Sequence, residues 1–152
     1  MEEKMKKVVF ICLGNICRSP MAEAIFRDLV KQQNLEAAFT IDSAGTAGWH
    51  EGERPHKGTL AKLREHDIST DGMYSRPLTK EDGERFDYFI CMDESNVENT
   101  RRILGGDKEV LRLLDLTTHT VKEVPDPYYT GDFEETYQLC LEGCTKLLEK
   151  LC

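Results

Sequence analysis

The sequence predicts an α/β fold: a single domain with a four-stranded, parallel, twisted sheet carrying helices on both faces. Three observations predict it. Short β-branched or aromatic runs alternate with helical patterns along the chain. The runs lack the in-out alternation of a half-solvated strand, as expected for strands covered on both faces. The 152 residues suit one core, and no linker, repeat or low-complexity tract divides them.

Each element has its own signal. Residues 7–12, KVVFIC, read as strand one. Residues 19–33 read as a helix, with Ser19 as N-cap and Pro20 in the first helical position. Residues 38–43 read as strand two, followed by a Gly-rich loop over 44–55. A short helix is expected over 56–66 and irregular chain over 67–77. FDYFICM, 86–92, reads as strand three. DESNVENTRRIL, 93–104, opens with cap-type residues and reads as a helix. Residues 109–114 read as strand four, and VPDPYYTGD, 124–132, as a loop bounded by Pro and Gly. From Phe133 onward, apolar residues at 133, 137, 140, 141, 144, 147, 148 and 151 mark one buried helical face.

Charge and composition narrow the partners. Acidic residues outnumber basic ones, 28 to 20, which argues against nucleic acid and anionic membranes. The balance is uneven. Residues 1–34 carry six basic and four acidic groups, so they hold +2 while the rest holds −10 of the total −8. An anionic ligand is best received near the first strand and helix. No apolar run reaches the roughly 18 residues of a membrane span, and the first residues lack a signal-peptide core. The expected location is cytoplasmic, with the six cysteines reduced and the protein a monomer.

The informative segment is CLGNICRSP, residues 12–20, where strand one turns into the first helix. Successive backbone N–H groups in such a turn form an anion-binding nest. The helix start adds unpaired N–H groups and a positive dipole end. Arg18 adds a planar fork matched to two oxygens of a phosphate. Leu13, Gly14, Asn15, Ile16 and Cys17 therefore make a candidate cradle for a tetrahedral oxyanion. Cys12 stands at its mouth. Helix N-termini and adjacent cations favour the thiolate over the thiol, so Cys12 is expected to carry negative charge and to attack phosphorus. A phosphocysteine would split the reaction into two easier steps. The loop has no P-loop lysine and no G-x-G-x-x-G.

Phosphate ester cleavage expels an alkoxide or phenolate, which leaves better when protonated. Asp126, stiffened between Pro125 and Pro127, is placed to supply that proton. Tyr128 and Tyr129 follow it and could flank a flat aromatic ring. The four histidines and six cysteines show no metal-ligand spacing, so neither metal nor cofactor is expected.

These stretches resemble the low-molecular-weight protein tyrosine phosphatases. The resemblance starts at FICLGNICRSPMAEA and extends through DSAGT (42–46), FDYFICMDESN (86–96) and DPYY (126–129). It implies Cys12 as nucleophile, Arg18 as phosphate clamp and Asp126 as general acid and base. It implies Asn15, Ser19 and Ser43 as polar support behind the nucleophile. It places Trp49 beside the pocket, and it allows Cys12 and Cys17 to close reversibly into a disulfide. Substrates would be phosphotyrosine-bearing proteins, and the product inorganic phosphate. Relatives place a His in the region of residues 69–76; this chain has Met73 and Tyr74 there instead. Arsenate reductase needs further cysteines in a mobile segment, and Cys91 has no close partner. Phosphoarginine phosphatases tend to carry Thr where this chain has Ile16. A catalytically dead phosphopeptide-binding module would have no need to keep Cys12, Arg18 and Asp126 together.

Overall fold

The computed structural model describes residues 5–106 and 108–152. Four strands, β1 (Lys6–Cys12), β2 (Phe39–Gly45), β3 (Tyr88–Cys91) and β4 (Val110–Arg112), form one sheet in the order β2-β1-β3-β4. All three pairings are parallel. The helices are α1 (Arg18–Gln32), α2 (Lys57–Glu65), α3 (Asp82–Arg85), α4 (Glu94–Leu104), α5 (Pro127–Thr130) and α6 (Phe133–Leu151).

Side chains of β1 alternate between two cores, and this is why its sequence is apolar throughout. Val8, Phe10 and Cys12 join the core under α1, α2 and α6. Val9 and Ile11 join the smaller core under α4 with Phe86 and Leu104. The expected α6 face is the packed one: Tyr137, Cys140, Cys144, Leu147 and Leu151 are buried. No described helix is long and apolar enough to cross a membrane.

The strand order reverses between β1 and β3, which opens a crevice beyond their carboxyl ends. Cys12 ends β1, Ser43 lies near the end of β2, and Asp93 follows β3.

Several boundaries move. Ser19 is not the N-cap of α1; Cys17 holds that position, with no side-chain cap. Ser19 lies one residue inside the helix, where its hydroxyl is drawn to Cys12 and Asn15. Strand four is shorter than expected, because a 3₁₀ turn over Leu113–Leu116 follows directly. The loop at 124–132 contains α5, started by Pro127 and capped by Asp126. Helices of four residues are too short to leave a periodic signal.

Candidate active site

The loop between β1 and α1 is held by its carbonyls. Thr46 N–H donates to Cys12 O at 2.9 Å, and Ala47 N–H to Leu13 O at 2.9 Å. The Ser75 hydroxyl donates to Gly14 O at 3.0 Å. His56 N–H donates to Ile16 O at 2.7 Å, and the Thr59 hydroxyl to Cys17 O at 3.2 Å. With those oxygens tied to the scaffold, the N–H groups are left over. The amides of Gly14, Ile16 and Cys17 meet no protein acceptor among the described residues. Asn15 N–H donates to the Cys12 sulfur at 3.3 Å.

Asn15 holds the bend. Its φ of 56° is left-handed, a region that Asn reaches more readily than most residues. Its side chain is buried and fully used. Nδ2 donates to Ser19 Oγ at 2.8 Å and to Ser43 Oγ at 2.9 Å. Oδ1 accepts from Arg76 N–H at 3.0 Å. Ser19 Oγ lies 3.1 Å from Cys12 Sγ. Asn15, Ser19 and Ser43 therefore come together behind the sulfur. The stretch around 69–76 supplies backbone and hydroxyl donors through Arg76 and Ser75, while Met73 is buried and Tyr74 exposed.

Arg18 is 3% exposed and lies behind the cradle rather than on its lining. Its Nη1 donates to Asp93 Oδ2 at 2.6 Å and to Val124 O at 3.0 Å. Its Nη2 lies 3.5 Å from Asp126 Oδ2. Its buried Nε has no partner among the described residues. One edge of the guanidinium is thus anchored, and the Nε–Nη2 edge is the one left to meet an anion. Burial alone would lower the guanidinium's proton affinity, but the neighbouring Cys12, Asp93 and Asp126 outweigh it and raise it.

The pocket above the loop has a volume of about 130 Å³. Cys12, Leu13, Gly14, Ile16 and Cys17 form its floor, and Asp126 stands at its edge. Trp49, Tyr128 and Tyr129 form the walls. At 71%, 52% and 73% exposure, they are lips of the pocket rather than core anchors. Asp126 Oδ1 accepts from Tyr128 N–H at 3.0 Å, which leaves Oδ2 turned towards Arg18.

Cys12 and Cys17 are both free thiols. Burial, reinforced by the neighbouring Cys12 and Asp126, pushes the Cys17 thiol up to about 12. Burial also raises Cys91 and Cys140 to about 12 and raises Cys144 well above the ordinary thiol range.

Sequence reasoning missed four residues. Asp93 was legible only as a cap, and it is one, accepting Asn96 N–H at 2.8 Å; its other oxygen anchors Arg18. His50 lines the pocket and pairs with Glu53 at 3.0 Å. Arg76 and Glu23 extend the polar chain from Asn15. A four-residue stride through Asn15, Ser19, Glu23 and Arg27 was the available signal.

The architecture is that of an oxyanion cradle closed by one cysteine and one arginine. Comparison with known proteins identifies the family. A family model for low molecular weight phosphotyrosine protein phosphatase matches residues 7–152. The chain is 49% identical over 150 residues to the low molecular weight protein-tyrosine-phosphatase YfkJ of Bacillus subtilis, covering 97% of this chain and 96% of that one. The YfkJ crystal structure matches with a TM-score of 0.96 at 47% identity, over 99% of this chain and 97% of that one. SP-PTP, a low molecular weight protein tyrosine phosphatase from Streptococcus pyogenes, matches with a TM-score of 0.86 at 40% identity, over 97% and 94%. DARP, a Drosophila arginine phosphatase, matches with a TM-score of 0.86 at 32% identity, over 95% and 97%. The chain belongs to the low molecular weight phosphotyrosine protein phosphatase family.

Proposed function

We propose that this protein hydrolyses phosphotyrosine in proteins, and aryl phosphates generally, through a phosphocysteine on Cys12. The observation that carries the reading is the Cys12 sulfur on the floor of a pocket of free amides, with Asp126 at the rim.

The phosphate sits on the free amides of Gly14, Ile16 and Cys17 and on the Nε–Nη2 edge of Arg18, opposite the anchored Nη1. Cys12 Sγ attacks phosphorus as the P–O bond to the aryl group breaks. Asp126 gives its proton to the departing phenolate. In the second step Asp126 takes a proton from water, and the oxygen of that water attacks phosphorus. The S–P bond breaks, the sulfur leaves as thiolate, and inorganic phosphate is released. Ser19 donates a hydrogen bond to that sulfur and eases its departure. Trp49, Tyr128 and Tyr129 hold the substrate ring between them, and this aromatic rim favours phosphotyrosine over phosphoserine, which has no ring to place there.

The protein acts as a monomeric, cytoplasmic, single-domain enzyme over residues 1–152. Ile16 presents an apolar surface on the pocket floor, so aryl phosphate is preferred to phosphoarginine even though one structural neighbour is an arginine phosphatase. An arsenate relay is disfavoured because Cys17, Cys91 and Cys140 are buried and held protonated.

The decisive experiment is aryl phosphate hydrolysis by wild type and Cys12→Ser. Turnover is abolished in the variant while vanadate still binds. Activity that persists in Cys12→Ser overturns the assignment.

A further inference from the structure

The rim of the pocket needs a support, because its aromatic residues reach into water. Tyr128 is 52% exposed and sits on the four-residue α5, a helix too short to be rigid by itself. Three rings lie against it. Tyr129 crosses it at 5.3 Å between centroids, His56 at 6.0 Å, and His50 tilts towards it at 6.2 Å. Tyr129 is itself 73% exposed, and His50 is tied to the exposed Glu53. Neither of these is a fixed point.

His56 is fixed from three sides. Its backbone N–H donates to Ile16 O in the loop after β1 at 2.7 Å. Its Nδ1 accepts Gly58 N–H at 3.0 Å and caps α2. Its ring stacks on Phe133, the first residue of α6, at 5.1 Å and 20°. Phe133 in turn lies against Gly58, where a Cβ would stand 2.5 Å from its ring. Behind this joint, α2 and α6 are held together by Lys62 with Glu134 at 2.8 Å and by His66 stacked on Tyr137 at 4.0 Å. Capping alone does not require an imidazole, since Asn, Asp and Ser are the preferred caps. What the ring adds is a braced surface for Tyr128, met at 78° in the edge-to-face arrangement that ring pairs favour.

We propose that His56 is a positioning residue for substrate choice: it ties the aromatic rim to the phosphate cradle and holds the Tyr128 ring where the ring of an aryl phosphate lies when its phosphate fills that cradle. The proposal rests on the aryl phosphate reading given above. One residue carries both ends of the link. The backbone N–H on Ile16 O registers the cradle, and the imidazole registers the rim. Inorganic phosphate uses only the first end, whereas an aryl phosphate uses both.

The test separates cap from rim with two substitutions. His56→Asn keeps a good N-cap and the backbone bond to Ile16, and removes the ring. KM for an aryl phosphate rises about 3–10-fold, the worth of one ring pair, and kcat changes less than KM. Competitive inhibition by inorganic phosphate keeps its wild-type strength, because the cradle is intact. His56→Phe keeps a ring and removes the cap. Its KM stays near that of wild type, while its thermal midpoint falls by about 2–4 °C, the equivalent of one lost N-cap. In a Tyr128→Ala background His56→Asn adds no further rise in KM. Phe133→Leu removes the backing of the same ring, raises KM in the same direction, and takes the place of His56→Asn if that variant misfolds. Calorimetric titration with phenylphosphonate, which is not hydrolysed, reads the contact without turnover: its affinity falls about 3–10-fold in His56→Asn, and that of inorganic phosphate does not change. An unchanged KM in His56→Asn, a KM that rises equally in His56→Phe, phosphate inhibition that weakens in step with KM, or losses that multiply with Tyr128→Ala each overturn the proposal. If wild type fails to turn over aryl phosphates, the functional reading falls, and the phenylphosphonate titration alone decides the role of His56.

Discussion

Glu23 has a cost in stability that can be measured. Its carboxyl rises from an ordinary 4.5 to about 7 in the folded chain, chiefly through burial. In the window between those values the folded state holds a proton that the unfolded state has released. Stability therefore falls as pH rises through the window. At 1.36 kcal/mol per pH unit, the span amounts to about 3 kcal/mol. That is a large share of the roughly 5–15 kcal/mol that stabilises an ordinary domain. Glu23→Gln removes the ionisation while keeping the size of the side chain. Urea unfolding of both proteins, followed from about pH 4.5 to about pH 8, isolates the effect, because other titrating groups cancel in the difference. The variant gains on wild type progressively, by about 3 kcal/mol across the window. A difference that stays constant, or that moves in favour of wild type as pH rises, refutes the claim that a buried, largely desolvated carboxylate sits at position 23.

Other perturbations follow from the same geometry. Asp126→Ala leaves the fold intact and slows aryl phosphate cleavage by about 10²–10⁴-fold; in single-turnover kinetics, a leaving group that needs no proton is far less affected. Arg18→Lys surrenders the planar fork and weakens vanadate inhibition by about 10–100-fold, the worth of one to two charge-assisted hydrogen bonds. Asp93→Ala frees Arg18 Nη1 and uncaps α4, so calorimetry records a loss of about 1–2 kcal/mol alongside a raised KM. In Gly143→Ala the new Cβ would lie 2.4 Å from Leu113 Cγ; unfolding midpoints drop by the equivalent of about 1–3 kcal/mol, while kcat of the folded protein is unchanged.

The sheet and its helices were legible because their signals are local. KVVFIC and FDYFICM are apolar on both faces since each strand feeds two cores, and α6 shows a clean 3.6-residue stripe because only one side of it is buried. The cradle was legible for a different reason: a cysteine, a left-handed Asn, an arginine and a helix start lie within seven residues, so chain connectivity alone brings them together. Asp126 was accessible through its flanking prolines. Asp93 was read as a cap because caps are set by nearest neighbours, whereas its bond to Arg18 spans 75 positions. The error at Ser19 has the same origin. A Ser before a Pro-led helix is a good N-cap in isolation, but the sulfur and the Asn15 amide compete for its hydroxyl, and here they win.

Glu23 shows what local reading cannot reach. A glutamate in a helix is normally assigned to the solvent side, and the stretch MAEAIF gives no reason to do otherwise. The helix is unusual because every residue from Arg18 to Phe26 is buried, so there is no solvent side for that turn. Its polar residues are instead recruited inward at four-residue intervals, from the loop Asn15 through Ser19 and Glu23 to Arg27. The first three are buried to 2%, 0% and 2% exposure; the fourth reaches water and holds the outer end of the chain by its charge. A buried polar row of this kind survives only if every donor finds an acceptor. Here the Arg76 N–H on Asn15 Oδ1 turns the Asn15 NH₂ towards both serines, and Glu23 takes the hydrogen that Ser43 has left to give.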